Sequence, residues 1–163
     1  MTNGTLDRRN PIYLDELTPG RRFTTQSYAL GEAELKNFAA KFDPQPFHLD
    51  AEAARHSIFG GLVASGWHTA AITMRLLITS GLPIAGGMVG LGGEISWPRP
   101  TRAGDVLHVE TEILDVAPSR RHARGVVTMR SKTCNERGEP VQIFTAKLLV
   151  PRRPSLDAGS SAS

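Results

Sequence analysis

The sequence predicts an α+β domain, a curved antiparallel sheet wrapped around one long, largely buried helix. Three observations point to it. Helical periodicity of apolar residues is confined to the first 80 positions. After Pro83 the character changes to long stretches rich in β-formers with short connections between them. A chain of 163 residues with 40% hydrophobic content can bury one sizeable core.

The elements follow in order. Residues 1–10 read as a flexible arm, and the domain begins at residue 11. Residues 22–30 alternate with Phe23, Thr25 and Tyr28, the pattern of a strand. Residues 31–42 carry Leu35, Phe38, Ala39 and Phe42 at helical spacing, and Asp43-Pro44 stops that helix. Asp50 suits the N-cap of a short helix over 51–56. Residues 66–80 form the central helix, with Trp67, Ala70, Ala71, Met74, Leu77 and Ile78 as its apolar stripe. Gly81 and Pro83 end it. Strands are expected over 87–97, 105–116, 121–134 and 141–150, as an antiparallel meander, with a hairpin turn at Asn135-Glu136-Arg137-Gly138. The domain closes at residue 151. The polar tail 152–163 has too little apolar surface to fold and is expected to be disordered.

Composition excludes several classes. No apolar run is long enough to span a membrane, and residues 1–10 lack a secretory apolar region, so no membrane partner is expected. Cys134 stands alone, which rules out an intrachain disulfide and fits a reducing cytoplasm. The net charge of +3 comes from scattered arginines without interleaved aromatics, which argues against nucleic acid; an anionic small molecule is a better partner than DNA or RNA, and a merely solvated basic surface is the favoured plain reading. His56, His68, His108 and His122 show no metal-ligand spacing, so no metal is expected. The glycines at 86, 87, 90, 92 and 93 lack the spacing and following helix of a dinucleotide loop; they permit a bulge or a close backbone approach.

The chemistry concentrates in Phe42-Asp43-Pro44-Gln45-Pro46-Phe47-His48. Pro44 ends the incoming helix and Pro46 holds Gln45 extended, so Asp43 and His48 sit on a stiff, irregular segment. A carboxylate and an imidazole on an ordered loop beside a helix end suit proton transfer on a bound water. The plain alternative is that Asp43-Pro44 caps the helix and His48 packs locally.

These residues resemble the MaoC-like hydratases, the (R)-specific enoyl-CoA hydratase family of the hotdog fold. The resemblance is carried by Phe38-Ala39, the segment from Asp43 to His48, Asp50, Ala53-Ala54, the run Phe59-Gly60-Gly61-Leu62-Val63-Ala64-Ser65-Gly66, Trp97-Pro98-Arg99-Pro100 and Arg102-Ala103-Gly104-Asp105. It spans roughly residues 20–150. Two departures stand out: Gln45 replaces the family's usual asparagine, and Ser65-Gly66 replaces a common His-Gly. Both touch substrate choice more than the reaction.

The resemblance implies a single hotdog domain of five or six strands, paired as a homodimer or higher homo-oligomer. It implies an acyl-thioester hydratase/dehydratase acting on a coenzyme A or carrier-protein thioester. Coenzyme A enters as part of the substrate, with no separate cofactor. Asp43 and His48 become the catalytic pair. Gly66 becomes the substrate-binding residue whose N–H meets the thioester oxygen, with Ser65 beside it and also suited to cap the helix. A hotdog thioesterase or a non-catalytic acyl-thioester-binding module are the competing readings. Trp97 and Met74 are expected in the core, Cys134 is expected to be inert, and His68 to pack against the helix or face the surface. Arg99, Arg102, Arg120 and Arg121 are candidates for phosphate contacts, with surface solubility as the alternative.

Overall fold

The computed structural model describes residues 10–155. The arm 1–9 and the tail 156–163 lie outside the described residues. The fold is a single α+β domain, an antiparallel sheet with a 16-residue helix packed on it. Three strands, β4 (Val106–Pro118), β5 (Arg124–Cys134) and β6 (Pro140–Pro151), form the predicted meander. Asn135 closes the β5–β6 turn as expected: its Oδ1 accepts from the N–H groups of Arg137 and Glu139.

The sheet departs from a simple meander at both ends. Strand β3 (Val89–Ser96) pairs with β6, not with the β4 that follows it. The connection from Trp97 to Asp105, bent at Pro98-Arg99 and turned at Ala103-Gly104, carries the chain from β3 to β4. At the other edge, the single strand expected over 22–30 is two short pieces, β1 (Arg22–Thr24) and β2 (Tyr28–Ala29), both on β4. The cause is local. The Thr25 hydroxyl accepts from Val109 N–H in place of a main-chain carbonyl, and Gln26 N–H turns away to Ser80 Oγ.

The helices precede β3. Helix α1 (Glu32–Phe42) ends at Asp43, whose N–H returns to the Ala39 carbonyl. Helix α4 (Gly66–Leu76) widens into a π turn over Leu77–Gly81. Its Ile72, Leu76 and Leu77 join Leu107, Val109, Ile113, Val127, Met129 and Leu148 in the main core. These sheet residues alternate along their strands, so one face of the sheet covers the helix. The other flank of α4 corrects the expectation of near-complete burial: Trp67, Met74 and Ile78 are exposed in the single chain. The sheet curls around one side of the helix only. No helix among the described residues is long and apolar enough to cross a membrane.

Candidate active site

Asp43 terminates α1, and the two prolines behave unequally. Pro44 follows the helix end, and Gln45 is extended, as expected. Pro46 then opens a one-turn helix, α2 (Pro46–Leu49), instead of prolonging an irregular segment. Proline suits a first helical position because its missing N–H is not needed there. The turn is closed by Asp50 N–H donating to the Pro46 carbonyl, and it swings His48 inward to near-complete burial. Asp50 then caps α3 (Ala51–Arg55), accepting from Glu52 and Ala53 N–H.

The loop from Phe59 to Ser65 comes back across this turn. Val63 N–H donates to the Phe47 carbonyl and Ala64 N–H to the Thr101 carbonyl. Arg102 donates to the Phe59 carbonyl at 2.7 Å, which makes it a brace for the loop. Ser65 is thereby set at the N-cap of α4, accepting from Trp67 N–H, with its hydroxyl donating to Asp43 Oδ2 at 2.7 Å.

Asp43 and His48 meet. His48 Nε2 lies 3.2 Å from Asp43 Oδ2. His48 Nδ1 lies 2.7 Å from the Val63 carbonyl oxygen. A carbonyl only accepts, so Nδ1 carries a hydrogen and Nε2 is the ring nitrogen that faces the carboxylate. Gln45 Nε2 donates to Asp43 Oδ1 at 2.7 Å, so the longer amide in the asparagine position still braces the acid. Burial pushes the Asp43 carboxyl up, but hydrogen bonds from Ser65 and Gln45 and the neighbouring His48 outweigh it and hold it below the usual range.

Because that folded-state pKa is depressed, ionised Asp43 contributes stability above its unfolded pKa of roughly 3.9. The contribution is lost as pH falls through the lower folded value. Urea titrations at pH 5 and pH 3 should show wild type losing more stability than Asp43→Asn over that interval. Equal losses would mean that the carboxylate is not held by its neighbours.

Gly66 is the first residue of α4. Its N–H donates to no group among the described residues, as expected at a helix start. A Cβ there would lie 2.6 Å from the Trp97 ring, so the indole fills the place of a side chain. Asp43, His48, Gly66, Trp67, Trp97 and Arg99 line one pocket of about 500 Å³. Trp97 was expected in the core and is instead 41% exposed on the pocket wall. Met74 is exposed as well. Both sit where the sheet fails to cover α4.

The remaining candidates separate. Arg99 pairs with Glu139 beside the pocket, and Arg120 and Arg121 line a different surface hollow. His68 is buried, stacked on Phe38 with ring centres 4.4 Å apart, and its Nε2 faces Glu34 at 3.8 Å. Burial pushes its pKa down against the opposing charge of Glu34. Cys134 is buried, and burial followed by the charge of Glu110 raises its thiol pKa. Sheet register brings His108, Glu110 and Cys134 within 4.8 Å of one another, a grouping with no trace in linear spacing. Sequence reasoning also missed Val63, which acts through its main-chain carbonyl and leaves no side-chain signal.

Sheet, helix, half-buried Asp43 and buried His48 together define a hotdog domain with a pocket at the amino end of its helix. The family description "MaoC like domain" matches residues 15–135, and the chain belongs to that family of MaoC-like dehydratases. A crystal structure of a MaoC-like dehydratase from Rhodospirillum rubrum is 59% identical, with TM-score 0.87 over 88% of this chain and 99% of that one. An R-hydratase from Pseudomonas aeruginosa is 29% identical, with TM-score 0.72 over 94% and 96% of the two chains. A 3-hydroxybutyryl-CoA dehydratase of Methylorubrum extorquens is 28% identical over 90% of this chain and 88% of its own length.

Proposed function

We propose that the protein is an acyl-thioester hydratase/dehydratase that adds water reversibly to a trans-2-enoyl-CoA, giving an (R)-3-hydroxyacyl-CoA. The observation that carries this reading is the 3.2 Å approach of His48 Nε2 to Asp43 Oδ2 in the pocket that Gly66 also lines. In the neutral ring Nε2 accepts, as the carboxylate oxygens do, and the pair can then hold one water through its two hydrogens. As the water oxygen bonds to C3, the pair takes one of its protons and returns a proton to C2, so the pair ends as it began. Such acid/base assistance is worth about 10²–10⁴-fold.

Attack at C3 moves negative charge onto the thioester oxygen. The Gly66 N–H, at the positive end of the α4 dipole, is the donor for that charge. Ser65 serves this chemistry indirectly by holding Asp43 Oδ2 while capping the same helix. Incubation with crotonyl-CoA tests the reaction: loss of the enoyl absorbance without free thiol supports hydration. Thiol release without hydration would make the protein a thioesterase, and binding without either would make it an acyl-thioester-binding module.

The same reading includes a homodimer. Trp67 and Met74 on α4 and Ile78 in the following π turn are exposed, as are Val89 and Leu91 on β3, which pairs only with β6 among the described residues. An open strand edge beside an apolar stripe is a surface that proteins cover. A second copy of this chain covers it by pairing β3 with β3. Sedimentation should give twice the mass of the 17.6 kDa chain, and Leu91→Asp with Met74→Glu should give the monomer. A monomeric wild type would refute the pairing. The lone, buried Cys134 is consistent with a cytoplasmic location.

A further inference from the structure

Two hollows share Trp67 as a wall residue. The first is the pocket of Asp43 and His48, walled by Trp97 and Trp67. The second is an apolar groove of about 410 Å³ between α4 and β3, lined by Trp67, Met74, Met88, Ile95, Phe144 and Leu148 among others. Its β3 side is open because Gly90, Gly92 and Gly93 put no side chains there. Gly93 could carry none, since a Cβ would sit 2.3 Å from the Thr145 carbonyl oxygen. Trp67 lines both hollows. Trp97 lines the first and Gln142 the second, and they are bonded across the divide: Trp97 Nε1–H donates to Gln142 Oε1 at 3.0 Å.

The partition is held shut by a buried polar relay. An indole N–H only donates, so Gln142 must present its carbonyl to Trp97 and its NH₂ to the other side. That NH₂ donates to Thr73 Oγ1 at 3.1 Å. The Thr73 hydroxyl in turn donates to the Thr69 carbonyl at 2.8 Å and lies 2.6 Å from Thr133 Oγ1. With its hydrogen committed to Thr69, Thr73 accepts from both Gln142 and Thr133 and is fully satisfied. Gln142 is 1% exposed, so this chain cannot exchange its bonds for solvent without unpacking the core. The indole is also seated on Gly66 and meets Trp67 edge-on, at 5.5 Å and 81°. Three contacts therefore hold one rotamer.

We propose that Trp97 sets the acyl-chain length of the reaction. Because the ring lies against Gly66, it lies beside the thioester that Gly66 would hold, and it blocks the tail from running on into the groove. The groove offers methionine, isoleucine, phenylalanine and leucine, a lining suited to a fatty-acyl tail, and it meets the pocket of Asp43 and His48 at Trp67, which lines both. The enzyme therefore selects short acyl chains, and removing the indole joins the two hollows. This inference rests on the hydratase reading.

The test compares wild type, Trp97→Ala, Trp97→Leu and Trp97→Ala with Ala70→Phe on C4, C8 and C12 trans-2-enoyl-CoA. Binding of butyryl-, octanoyl- and dodecanoyl-CoA is measured in parallel by calorimetry. Wild type should lose at least about tenfold in kcat/KM from C4 to C8, and Trp97→Ala should raise the C8-to-C4 ratio by about tenfold or more. Ala70 lines the groove, so Ala70→Phe in that background should cancel the gain. Trp97→Leu gives the same reading if Trp97→Ala fails to fold. A wild type that treats C12 like C4, or a Trp97 variant with the wild-type chain profile, overturns the proposal. The second result is also what a groove filled by the partner copy would produce. If wild type hydrates no enoyl thioester, the hydratase reading falls alone. The saturated thioesters then decide: an unchanged C8-to-C4 affinity ratio in the variants overturns the length gate.

Discussion

Asp43→Asn and His48→Ala each lower hydration of crotonyl-CoA by about 10²–10⁴-fold while the protein stays folded. An asparagine in place of Asp43 keeps the shape of the acid and can still accept from Ser65, but it has no charge with which to take or stabilise a proton. Removing the His48 ring is harsher. It leaves the Val63 carbonyl without its donor, at about 1–3 kcal/mol for a buried unsatisfied group, and opens a hollow beside Phe47. His48→Gln is the control, since its amide can donate to Val63 without acting as a base. Circular dichroism and sedimentation should show native structure for Asp43→Asn and His48→Gln, with hydration lost in both. Near-wild-type rates in either variant would remove that residue from the reaction.

Gly66→Ala destabilises the protein by about 1–3 kcal/mol, the usual range for forcing an extra methyl into a filled site. The added carbon has nowhere to go, because the Trp97 ring is already 2.6 Å from its position and is fixed by Gln142. Hydration should fall at least about tenfold as the indole and the helix start move apart and the N–H leaves its aim. Combining Gly66→Ala with Trp97→Ala relieves the clash, and the urea midpoint should recover. A Gly66→Ala protein that melts like wild type would show that the indole yields easily. It would also weaken the case for Trp97 as a rigid wall.

The site was legible because its signals are local. Two prolines within three residues restrict the backbone between Asp43 and His48 whatever surrounds them. Asp50 and Ser65 are capping residues whose hydrogen bonds reach only two or three positions along the chain. The errors share the opposite property. Trp97 and Met74 look like core by composition, and only the one-sided curl of the sheet leaves them exposed. The break at Thr25 depends on Ser80, far along the chain. Arg102 looks like a surface cation until Phe59 folds back to meet it.

While the roles proposed for Asp43, His48 and Gly66 come from the family resemblance, periodicity and turn chemistry by themselves determined the class of the fold and the position of the central helix and set Asp43 and His48 on one short segment. These are preferences of neighbouring residues, set by backbone sterics and hydrogen bonds of short reach. Only the tertiary structure decided that β3 crosses to β6, that the Val63 carbonyl meets His48 Nδ1, and that Trp97 lies against Gly66 and bonds Gln142. Each depends on contacts between segments far apart in the chain, and their register is chosen by how the whole core packs, not by any one stretch.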